Sequence, residues 1–145
     1  MQAKIETVIG FDYGTSWIGI AVGQTLTAQA SPLNAIKSFR HSPDWGAISN
    51  LVDEWKPQKL IVGLPTSDYP ETQYMTDKAS RFSRQLQGRY QINTDLIDER
   101  LTTREAYLIA IDSGTHKSKP EIDSLAAVLI TETWLREYQH QIEKL

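Results

Sequence analysis

The stretch Val8 to Gly23 reads VIGFDYGTSWIGIAVG: two apolar runs rich in Val and Ile, joined by a small polar turn. β-Branched runs of this length suit strands buried on both faces, and Asp-Tyr-Gly-Thr-Ser supplies the turn between them. Gly14 is the residue expected to take positive φ there at no steric cost. The two runs predict an antiparallel pair in the middle of a sheet. Asp12 stands where the first run ends. A carboxylate abutting a buried strand is costly unless it is paired, hydrogen-bonded or metal-bound, although an aspartate in a turn also commonly caps its own backbone.

Composition narrows the class. The chain has 145 residues, 40% hydrophobic and 23% charged, which predicts one globular domain. It has no cysteine, so disulfides, thiolate zinc sites and cysteine nucleophiles are excluded. No apolar run approaches bilayer length and the N-terminus lacks a signal-peptide core, so a cytoplasmic protein with no membrane partner is expected. The net charge of −3 does not announce a nucleic-acid binder. Between Lys78 and Lys119, however, eight basic residues face five acids, either a phosphate-facing surface or a solvated helix face.

Outward from the opening pair, Thr27 to Ser38 reads as a third strand, with Pro32 placing it at an edge. Ser42-Pro43 predicts an N-cap, and Trp45, Ile48, Leu51, Val52 and Trp55 follow at helical spacing up to about Lys56. That stripe makes the tryptophans core rather than base-stacking platforms. Lys59 to Gly63 is a short buried strand, and Leu64 to Asp68 leaves it as a loop, in the place where α/β sheets bind ligands. A polar amphipathic helix spans Glu71 to Leu86 with Gly88 as its C-cap, and Gln91 to Asp98 is another strand. Thr102 to Glu105 is a capping box for a helix from Thr103 to about Ile111. Thr115 to Pro120 is basic and polar, expected to be mobile, and the last helix starts near Ile122 and runs to about Gln141. The order predicts a mixed α/β sheet opened by a meander and flanked by helices.

Glu99 and Asp123 resemble Asp12 in setting, one after the apolar strand DLID and one at the head of the helix EIDSLAAVLI. Asp98 and Asp123 also admit bland explanations, Asp98 satisfying donors in the turn after its strand and Asp123 as an acid in a helix first turn. Spacing alone does not show that they meet in space.

The four blocks GFDYGTSWIGIAVG, LIVGLP, DERLTT and IDSLAAVLI, in this order, resemble the YqgF/RuvX family of RNase H-like nucleases across essentially the whole chain. The resemblance implies an RNase H-like fold over residues 1–145, with a five-stranded sheet of three antiparallel strands followed by parallel ones. It places Asp12, Glu99 and Asp123 in an acidic catalytic site holding divalent metal, Mg²⁺ or Mn²⁺. Two such ions about 3.5–4 Å apart would activate water and stabilise the leaving oxygen, with Asp12 bridging them. Thr15, Arg100, Lys117 and Lys119 would contact phosphates, and His116 is a further candidate for proton transfer. The implied activity is phosphodiester hydrolysis, either at the 5′ end of the small-subunit (pre-16S) ribosomal RNA precursor or at four-way Holliday junctions in DNA. The protein would act as a monomer or homodimer, with Trp134 and Tyr138 as candidates for a dimer face. A third possibility is a non-catalytic, nucleic-acid-binding assembly factor, and a D-x-G-T turn also occurs in actin-like kinases, which need two such domains. Two departures bear on substrate contacts. Ser16-Trp17 stands where a basic residue is usual, and Thr66 to Thr72 replaces a loop usually carrying Asn or Arg with glycine.

Overall fold

A computed structural model describes residues 4–40, 42–65, 70–98 and 118–144. Five strands, β1 (Thr7–Asp12), β2 (Trp17–Gln24), β3 (Gln29–Lys37), β4 (Lys59–Leu64) and β5 (Thr94–Asp98), form one sheet in the order β3-β2-β1-β4-β5. The β1–β2 and β2–β3 pairs are antiparallel, whereas β1–β4 and β4–β5 are parallel. The helices are α1 (Trp45–Trp55), α2 (Pro70–Tyr90) and α3 (Lys119–Glu143). This is the meander-then-parallel sheet expected from the sequence. Among the described residues, no helix is long and apolar enough to cross a membrane.

Strand alternation divides the core between two faces. Ile9, Phe11, Ile18, Ile20, Leu60 and Val62 pack with Ile48 of α1 and Phe82 and Leu86 of α2. Phe82 meets Phe11 edge-on at 5.5 Å, and Trp45 lies 5.7 Å from the same ring. Trp45 and Trp55 are therefore packed against the core, as their helical spacing predicted. The opposite face carries Val8, Ile61 and the small residues Gly10, Gly19, Ala21 and Gly23, and α3 lies across it. Side chains at these glycines would strike the helix: a Cβ on Gly10 would lie 1.8 Å from Thr131 Oγ1, and one on Gly23 2.8 Å from Leu135.

Several local features differ from expectation. Gly14 does not adopt positive φ; a Cβ there would lie 2.5 Å from the Trp17 carbonyl oxygen, so the turn needs glycine for space rather than handedness. Asp44, not Ser42, caps α1, its side chain accepting from Ala47 N at 3.1 Å. Ser42 is instead tied to Phe39 by two backbone hydrogen bonds of 2.8 and 2.9 Å. Helix α2 runs past Gly88 to Tyr90, and Gln91 takes the left-handed conformation at φ 56°. The last helix begins at Lys119 rather than Ile122, because Ser118 and Glu121 form a reciprocal capping box and a proline follows the first helical residue. Trp134 is 7% exposed and stacked on Tyr138 at 4.9 Å, which removes it as a dimer-face candidate. The helix expected from Thr103 to Ile111 and its capping box lie outside the described residues.

Candidate functional site

Asp12 is the last residue of β1 and is 8% exposed. It lies on the α3 side of the sheet, in alternation with Val8 and Gly10, and its cross-strand partner in β2 is Gly19. Gly19 in turn touches the first turns of α3. A Cβ there would lie 2.0 Å from the carbonyl oxygen of Asp123 and 2.7 Å from Ser124 N. Only glycine permits that approach. The contact is locked one residue on, where Ile20 N donates to Ser124 Oγ at 3.2 Å. Two acids 111 positions apart are thus neighbours of one glycine, at the edge where the parallel strands β1, β4 and β5 end.

Asp123 is also 8% exposed. Burial pushes its carboxyl above the ordinary value of 3.8, opposed by hydrogen bonds and charge from Lys119. The Lys119 ammonium sits 3.1 Å from each carboxylate oxygen. A cation in the first turn of a helix opposes the macrodipole, so Asp123 rather than the helix accounts for its position. Asp123 therefore already holds a cation through both oxygens. Two buried carboxylates with hard oxygen donors fit a divalent ion such as Mg²⁺. Among the described residues, no set of three His, Cys, Asp or Glu side chains is placed to hold a metal.

Of the other residues expected in the site, Thr15 lies half-buried in the β1–β2 turn. Glu99, Arg100, His116 and Lys117 lie outside the described residues, Glu99 immediately after the end of β5. A hollow of about 1240 Å³, lined in part by Lys59, Asp95 and Trp134, lies away from this edge, where β4 and β5 begin.

A family model described as RuvX, Holliday junction resolvase, matches residues 6–137. The chain belongs to this family. A relative from Legionella pneumophila named "Putative pre-16S rRNA nuclease" is 44% identical over 131 residues, covering 89% of this chain and 94% of its own. One from Nitrosococcus oceani with the same name is 42% identical, covering 94% and 91%. Two solved structures share the RNase H-like fold of this RuvX-family chain at low identity. Thermus thermophilus RuvC in complex with a Holliday junction substrate matches with a TM-score of 0.57 and 14% identity, covering 92% of this chain and 97% of that one. The fowlpox virus Holliday junction resolvase matches at 0.56 and 10%, covering 91% and 99%.

Sequence reasoning passed over three residues that build the site. Gly19 gave no signal beyond being a glycine within a strand, a recognised mark of close backbone approach. Ser118 with Glu121 is a legible S-x-x-E capping box, and it fixes the helix turn that carries Lys119 and Asp123.

Proposed function

We propose that this RuvX-family chain is a divalent-metal-dependent endonuclease over residues 1–145, hydrolysing phosphodiester bonds at the 5′ end of the pre-16S ribosomal RNA precursor. The observation that carries the chemistry is that Asp12 pairs across the sheet with Gly19, the residue on which the backbone of Asp123 packs. Asp12 and Asp123 would hold the metal, Mg²⁺ or Mn²⁺, with Glu99 as the third carboxylate. Such ions, when bound, activate water and stabilise the leaving oxygen. The protein's own part is to hold both acids at the strand ends, with Lys119 opposing the upward pull of burial on the Asp123 carboxyl. Gly19 sets the spacing between β2 and α3, and Lys119 stays paired with Asp123 until substrate arrives. Lys119 and Thr15, with Arg100 and Lys117, would then engage phosphates. The preference for ribosomal RNA over branched DNA rests on the names of relatives at 42–44% identity.

The description of the family model favours a second reading, resolution of four-way DNA junctions, which requires a symmetric dimer to cut two strands. Cleavage of matched RNA, DNA and four-way-junction substrates with Mg²⁺ or Mn²⁺ separates the two, with Asp12→Asn alongside. Metal-dependent RNA cleavage lost in the variant is the expected result. Paired nicks confined to the junction would move the assignment to resolution. Absence of all cleavage, with both proteins binding alike, would leave a non-catalytic binding protein.

A further inference from the structure

Three of the four tryptophans are explained by packing: Trp45 and Trp55 lie against one core cluster, and Trp134 lies within the other. Trp17 belongs to no core cluster. It opens β2 on the α3 face, two residues before Gly19, and is only half-buried. Beside it β3 is irregular. Ile18 pairs with Ile36 and Ile20 with Leu33, so Asn34 and Ala35 together stand opposite the single residue Gly19. Such a bulge bends the edge strand and is a recurrent device next to functional sites. Beside the bulge is a hollow of about 430 Å³, mostly apolar, whose lining includes Trp17, Pro32, Pro120, Ser124 and Leu125, with Glu121, which caps the α3 N-terminus, also on its wall.

The hollow adjoins the turn that carries Asp123: Ser124, the next residue, lines it and accepts from the Ile20 amide. Two lysines stand close to residues that line it. Lys37 Nζ lies 6.0 Å from the centroid of the Trp17 ring, and Lys119 projects, largely exposed, from the Asp123 side. An aromatic ring beside apolar walls, with a lysine over that ring, matches a nucleobase and its phosphate. Asn34 stands exposed at the rim, where its amide could meet the polar edge of a base.

We propose that this hollow is a nucleobase subsite, in which one base of the bound strand, unstacked from its neighbours beside the scissile phosphate, packs on Trp17. The inference rests on the nuclease reading above and adds to it a specificity pocket. Trp17 thereby contributes stacking at the position where a basic residue would contribute only charge, tying cleavage to a strand that can splay out a base.

The test is a binding measurement without turnover. Fluorescence anisotropy is read in EDTA with a labelled single-stranded RNA and with copies carrying one abasic nucleotide at each position in turn. The wild-type protein should lose about 5- to 150-fold in affinity at one position. Trp17→Ala should lose a similar factor on intact RNA and show no further loss with the abasic copy, while Trp17→Phe should keep most of the affinity. Equal wild-type affinity for every abasic copy would overturn the subsite and leave the nuclease reading standing. The subsite would be overturned equally if Trp17→Ala still sensed the abasic position. The abasic series on the wild-type protein decides the matter even if Trp17→Ala fails to fold. If the wild-type protein did not bind single-stranded RNA at all, the subsite would be overturned, while loss of all metal-dependent cleavage, measured separately, would be needed to bring down the nuclease reading.

Discussion

A Cβ on Gly19 would lie 2.0 Å from the carbonyl oxygen of Asp123. That backbone-to-backbone approach positions the first turns of α3, which carry Asp123, against β2.

Gly19→Ala should therefore cost about 3 kcal/mol or more, because neither backbone can yield to the added methyl group. The contrasting substitution is Gly88→Ala: Gly88 lies within α2 with nothing within 4 Å of the new methyl. It should stabilise by about 0.5–1 kcal/mol. Paired urea denaturation curves check both signs.

Gly10 and Thr131 form a second contact of this kind, a Cβ on Gly10 meeting Thr131 Oγ1 at 1.8 Å. Here the obstacle is a side chain. Gly10→Ala alone should cost about 1–3 kcal/mol. Combined with Thr131→Ala it should cost less than the sum of the two single changes by about 0.5–3 kcal/mol. Strict additivity in a double-mutant cycle would contradict the packing of α3 against the sheet.

The raised pKa of Asp123 makes a signed prediction for stability in metal-free protein. A carboxyl whose folded pKa exceeds its unfolded 3.8 binds more protons when folded. Its contribution is fully present below pH 3.8 and is lost as pH rises through the folded value. Relative to Asp123→Asn, the wild-type chain should thus lose stability on going from below pH 3.8 toward neutrality. Lys119→Gln, which removes the opposing charge, should move that loss to higher pH. Denaturation in EDTA across this range reads both.

Much of the sheet was legible because alternation and β-branched runs report burial directly. The meander and the edge position of Pro32 both follow from Val8 to Ser38. Helix ends were less legible, because tertiary contacts chose between competing local signals. Ser42 is engaged with Phe39, which leaves the cap to Asp44. Tyr90 packs against the core, with its hydroxyl 2.8 Å from Ser49 Oγ, and this draws α2 beyond Gly88. Trp134 looked like a surface residue on a helix face, but it lies on the sheet and donates to Asp95 at 2.8 Å. That Asp12 and Asp123 both adjoin Gly19 had no local signature at all. Residues 111 positions apart come to the same glycine only through the register that sets Asp12 against Gly19, and no periodicity within either segment encodes that register.

The most direct test of the proposed site is Mn²⁺ binding, measured by calorimetric titration on wild-type protein, Asp12→Asn and Asp123→Asn, without nucleic acid. The arrangement at Gly19 predicts a bound ion in the wild type and affinity weakened about tenfold or more in each variant. Equal Mn²⁺ affinity in all three proteins would contradict it.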